Sequence, residues 1–136
     1  MAKTARFEVP SEWTGDRERD RRSVTLVGPE GEGSVHVALL LHPSELESQL
    51  DAVARRHPGS QPTPPQPLEL PQIRTELGDR ATRYPIHGMR VGEMVLIERR
   101  EALVLIAIVV TENAWPEVSQ WAQMMYRSVE VYDGEL

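Results

Sequence analysis

The sequence predicts an α+β domain: a mainly antiparallel sheet with helices packed on its faces. Three observations carry that expectation. First, Ala102 to Val110 (ALVLIAIVV) is apolar at every position, and most of its residues are β-branched or Leu. A strand with one wet face would alternate apolar with polar, so both faces of this one must be covered. The run is also too short to cross a bilayer as a helix, which needs about 20 residues. Second, the strand-like segments are joined mostly by short turns, so hairpins dominate. Third, two segments with helical spacing are present, enough to cover opposite faces of a sheet, or one face could meet a partner instead. At 136 residues the chain fits one domain, spanning 1–136 and large enough to bury a core.

The elements follow in order. In residues 6–13, Phe7 and Val9 alternate against Glu8, and Pro10 stops the strand. Asp16 to Arg22 is a dense run of nearly cancelling charges and reads as a solvated loop. Ser23–Val27 is a second strand. Gly28 to Gly33 is a hairpin loop rather than a phosphate cradle: no Lys-Ser/Thr and no helix follow it, and its two carboxylates would repel phosphate. Ser34–Leu41 is a third strand, with Val35, Val37, Leu39 and Leu41 on one face. A helix follows, with Ser44 and Glu47 spaced as a capping box and Leu46, Leu50, Val53 and Ala54 on one face. Arg55, Arg56 and His57 suit its C-terminus, and Pro58-Gly59 ends it.

Residues 58–71 hold six of the eleven prolines. Such a stretch is extended, and it reads as a connector crossing the edge of the domain. Pro62-Thr63-Pro64-Pro65 also has the look of an SH3-type ligand. Leu68–Arg74 is expected as an edge strand broken by Pro71, and Asp79–Ile86 as a further strand. Val91–Arg99 and Ala102–Val110 form a hairpin. Asn113 is the expected cap of a second helix running to about Arg127, with Pro116 tolerated in its first turn. At 100° per residue, Trp115, Val118, Ala122, Met125 and Val129 share its inner face. Trp121 lies at the margin of that arc, and Met124 lies nearly opposite Trp115.

Hydrophobic residues make up 40% of the chain and charged residues 26%, as in ordinary globular proteins. The net charge of −6 argues against a nucleic-acid-binding domain and against attraction to anionic lipid. Without cysteine there is no disulfide, thiol nucleophile or thiolate metal site. The opening residues contain no apolar signal core, so the expected compartment is the cytoplasm, without membrane insertion.

Catalytic signatures are weak. The four histidines, His36, His42, His57 and His87, show no metal-binding spacing and read as scattered structural or surface residues. No Gly-x-Ser-x-Gly elbow, P-loop or dinucleotide fingerprint is present, and neither a metal nor a cofactor is expected. Trp121 and Met124 are the candidate partner-binding residues, because Trp anchors interfaces and Met gives an adaptable contact surface. The alternative is that both pack under a neighbouring loop.

The order of elements, with Phe7-Glu8-Val9-Pro10-Ser11-Glu12-Trp13 at the start, Tyr84-Pro85-Ile86, the apolar 103–110 strand and a closing helix ending in Arg127-Ser128-Val129, resembles the PsbP-like α/β/α sandwich superfamily. That group includes the DcrB-type bacterial proteins. The resemblance implies a non-catalytic, protein-binding scaffold: a DcrB-like adaptor or chaperone that shields an apolar segment of a partner. Cytoplasmic members tied to type VI secretion are similar in size and tend to form homodimers. No functional residue carries over from them. Two other functions stay open. One is a small hydrolase or ligand-binding enzyme using a strand histidine, His36 or His87. The other is a structural subunit of a larger assembly.

Overall fold

The 102–110 strand lies inside an eight-stranded antiparallel sheet. The computed structural model describes residues 3–17, 23–71, 73–99 and 102–133. The elements are β1 (Lys3–Arg6), β2 (Thr14–Arg17), β3 (Ser23–Val27), β4 (Gly33–Leu40), α1 (Glu45–Arg56), β5 (Ser60–Pro62), β6 (Gln66–Pro67), β7 (Arg80–Gly88), β8 (Val91–Arg99), β9 (Ala102–Val110), α2 (Trp115–Ser128) and β10 (Glu130–Asp133). The sheet runs β2-β3-β4-β9-β8-β7-β5, with β6 also on β7, while β1 and β10 form a separate two-stranded ribbon.

The alternation of side chains across the sheet divides the core in two. Val35, Val37, Val95, Ile97, Val104, Ile106 and Ile108 point to one face, where Val118, Ala122, Met125 and Tyr126 of α2 cover them. Ala38, Leu40, Met94, Leu96, Leu105, Ala107 and Val109 point to the other, where Val53, Leu46 and Leu50 of α1 close over them. The helices cover opposite faces, as the unbroken apolar run requires. The fold is therefore α+β: one large antiparallel sheet with two helices packed on it.

Several expected details differ. The first strand is Lys3–Arg6, not the expected run from Arg6 to the stop at Pro10, and it pairs with β10, an element the sequence reading lacks. Phe7 and Val9 instead pack on the α2-side core outside any strand. Two residues of the expected charged loop, Asp16 and Arg17, belong to β2; residues 18–22 lie outside the described ones. The connector at 58–71 contributes the short edge strands β5 and β6, whereas the described residues of the expected Leu68–Arg74 strand form none. Ser44 makes no side-chain cap; the Glu45 carboxylate accepts from the Leu41 N–H at 2.8 Å instead. At α2 the capping hydroxyl is Thr111, accepting from Ala114 N–H at 3.3 Å, rather than Asn113.

Gly28 is a glycine that packing requires. A Cβ there would meet the Trp13 ring at 2.7 Å, so the ring can lie flush on the β3–β4 turn only if that side chain is absent. Among the described residues, no helix is long and apolar enough to cross a membrane.

Candidate functional site

Helix α2 presents three surfaces. Its inner stripe, Val118, Ala122 and Met125, is buried as the spacing predicts, as is Val129 just past its C-terminus, and Trp115 is partly buried beside it. One flank carries Trp121 and Met124. Trp121 is half-buried and packs at the margin of the core, with its ring centroid 5.3 Å from that of Trp13 at a tilt of 59°. Trp13 itself is only 5% exposed. The segment after β1 runs along this flank, where the Glu8 N–H donates to Ser128 Oγ at 2.8 Å. The N-terminal segment that carries Trp13 therefore covers one side of Trp121, and Leu68 and Leu70 of the 58–71 connector belong to the same core cluster. Met124, three residues on, stands 69% exposed. The result is an aromatic pair sealed on its inner side, with a flexible thioether beside it in solvent.

The other flank turns Tyr126 onto the buried Glu93, which is paired with the partly exposed Arg83. The Tyr126 hydroxyl donates to Glu93 Oε2 at 2.5 Å, and Arg83 Nη2 lies 3.1 Å from Glu93 Oε1. Burial pushes the Tyr126 phenol well above its ordinary value. The Glu93 charge and hydrogen bond add to that effect, and Arg83 opposes it. Arg83 Nε is buried without a partner. Nearby, Arg99 donates from Nη1 to the Val129 carbonyl at 3.3 Å, and its Nε sits 3.7 Å from Asp79. These contacts tie the C-terminal half of α2 to β7 and β8. Sequence reasoning missed the cluster, although Glu93 left a signal: it shares a face with Val95 and Ile97 in a strand paired to a wholly apolar one.

The histidines do not converge. His36 is buried on β4, with Nδ1 2.8 Å from Thr25 Oγ1 on β3. His42 and His87 are exposed. His57, at the C-terminus of α1, has its pKa lowered by partial burial and then by Arg90 and Arg56. Among the described residues, no three His, Asp or Glu side chains are placed to hold a metal ion.

Two clefts border α1. One, of about 300 Å³, lies against β3 and β4 and is lined by Ser23, Ala38, Ser44, Glu45, Ser48 and Gln49 among others. The second, of about 340 Å³, lies between α1 and the proline-rich segment. His36 lines neither.

No family model matches the chain, and no curated protein does. Solved structures do. CyanoP, the cyanobacterial PsbP of Synechocystis sp. PCC 6803, superposes with a TM-score of 0.65 at 14% identity, covering 94% of this chain and 86% of its own. PA94 of Pseudomonas aeruginosa, a protein of unknown function, gives a TM-score of 0.52 at 16% identity, over 88% of this chain and 86% of that one. Identities this low speak for shape alone, and that shape agrees with the two-helix, doubly covered sheet found here. The chain has a PsbP-like α/β/α sandwich fold.

Proposed function

We propose that this domain is a non-catalytic, cytoplasmic protein-binding module, a DcrB-like adaptor or chaperone that covers an apolar segment of a partner protein. The observation that carries this is the outer flank of α2, where Met124 is 69% exposed beside the half-buried Trp121. A rigid aromatic backed by core packing, with an adaptable side chain next to it, suits an apolar helix or strand presented by a partner. The buried Glu93–Tyr126 contact fixes the helix that displays this flank, so the surface is preformed. The PsbP-like fold supports a scaffold of this kind. A second copy of the chain is the simplest alternative occupant and would give the homodimer.

The test places a photoreactive residue at position 124 and another at Glu47 on α1 as a control. Irradiation in the source cell should join position 124, and not position 47, to a discrete protein. Equal labelling from both positions, or none from 124, would remove the reading. Light scattering of the purified chain across concentrations separates a foreign partner from self-association.

A second reading rests on the Thr25–His36 pair, a hydroxyl 2.8 Å from an imidazole nitrogen, as a nucleophile and base would be. Its test is a hydrolase screen with His36→Ala as control. The absence of any His36-dependent turnover would dismiss it.

A further inference from the structure

Residues 58–71 contain the densest proline run in the chain, and a docking surface on α2 leaves them without a role. Their placement is definite. Pro62 pairs in register with Ile86 at the sheet edge. Thr63 is pinned twice to the Pro85 carbonyl, by its N–H at 2.7 Å and its hydroxyl at 2.9 Å. Pro62 and Pro65 therefore form a fixed wall and not a free polyproline ligand. Leu50, Asp51 and Ala54 of α1 face them, and Tyr84 of β7 also lines the cleft of about 340 Å³ between. That volume sits at the small end of ligand sites, and its walls are mainly apolar, as in such sites generally.

The polar groups give the cleft a sign. Asp51 is the one charged residue that lines it. Among the described residues, neither the Asp51 carboxylate nor the Tyr84 hydroxyl has a hydrogen-bond or ion-pair partner. The neighbouring Arg55 turns to the Asp51 main-chain carbonyl at 3.4 Å and leaves the carboxylate unneutralised. An aromatic ring and an unpaired carboxylate beside an apolar wall favour a cation and disfavour an anion.

We propose that this cleft binds a small organic cation, its apolar body against Leu50, Pro62, Pro65 and Tyr84 and its ammonium group at Asp51. The prolines hold their wall in place before the ligand arrives, so little ordering is required on binding. The site lies on the opposite face of the sheet from Trp121 and Met124, and it stands or falls independently of the docking surface.

The test is an NMR titration of the full chain with phenethylammonium, phenethyl alcohol and 3-phenylpropanoate, which share a body and differ in charge. The ammonium should shift amide signals at 50–54 and at Gln61 and Thr63, and bind about fivefold more tightly than the other two. Asp51→Asn, at an exposed helix position, should abolish that preference while leaving alcohol binding and the melting curve unchanged. Equal binding of all three probes, shifts confined to other parts of the chain, or no saturable shift at millimolar probe would each overturn the proposal. So would binding of an arginine-bearing peptide at the cleft without binding of the amine, since the occupant would then be a protein side chain.

Discussion

The two faces of the sheet are built differently. The α2 face is sealed: the helix, Phe7 and Val9 of the N-terminal segment, and Leu68, Leu70 and Ile73 together cover a continuous core that includes Trp13, Tyr126 and Met125. The α1 face is thinly covered. Val53 is the only fully buried residue of α1, and clefts open on both sides of the helix. Burial of apolar area is the main source of stability, so the α2 face should carry most of it. The α1 face is left with room for ligands. One central strand serves both, which is why its sequence shows no alternation.

The largest effect expected is at Trp13. Trp13→Ala should cost about 3–5 kcal/mol in urea unfolding, because a buried ring and its cavity are lost together. Val53→Ala on the α1 face should cost about 2 kcal/mol, the transfer of two methyl-sized groups plus a small cavity. Equal losses would break the contrast between the faces. Trp121→Ala, at a half-buried ring, should fall between them. The double variant should show about 0.5–1.5 kcal/mol of coupling from the aromatic pair.

Glu93 comes next. Glu93→Ala removes the acceptor of Tyr126 and the partner of Arg83 at once. Because Arg83 is 37% exposed and can turn to water, the loss should be about 3 kcal/mol, the low end for a broken buried pair. Glu93→Gln keeps an acceptor for the phenol and should cost less. If the two variants melt alike, the hydrogen bond to Tyr126 adds nothing and the charge on Glu93 carries the whole loss.

Much of this contrast was legible beforehand. The unbroken 102–110 run announced a doubly covered strand, and helical spacing gave both covers with their inner residues. Trp121 at the margin of the arc and Met124 outside it followed from 100° geometry alone. What escaped depends on distant partners. Lys3–Arg6 becomes a strand only because Glu130–Asp133 lies beside it. Ser60–Pro62 pairs only because β7 offers an edge. Short segments of this kind carry too little pattern to be read locally. The caps failed for a related reason: Glu45 and Thr111 answer backbone groups whose positions the tertiary fold decides. The Arg83–Glu93–Tyr126 cluster joins three elements, and the sequence reading passed over its one local sign, Glu93 on a face shared with Val95 and Ile97.

The faces should also separate by pH. Tyr126 has a folded-state pKa raised above 10.0, so its contribution is fully present below that value. It is lost as pH rises beyond 10, where the unfolded chain ionises first. His57, beside the α1 face, has a folded-state pKa lowered from 6.5. The unfolded chain then takes up the proton first, and stability falls as pH drops through 6.5. Chemical denaturation from pH 5 to 11 should show both limbs. Tyr126→Phe should flatten the alkaline limb and His57→Gln part of the acid one. An alkaline limb that survives Tyr126→Phe would place its origin elsewhere.

The smallest effect on folding is expected at Met124, and it is the most informative about function. Its side chain is 69% exposed, so Met124→Ala removes little buried area, and stability should stay within about 0.5 kcal/mol of the parent. Association should still weaken, because the variant shortens the one flexible apolar group that stands clear of Trp121 on that flank. Met124→Leu should restore it, and Met124→Glu should abolish it by placing a charge against an apolar partner. The comparison uses melting curves at low and high protein concentration beside direct measurement of complex or dimer formation. A parent complex that tolerates Met124→Glu would move the docking surface off α2, leaving this face a closed core and the thinly covered α1 face as the functional one.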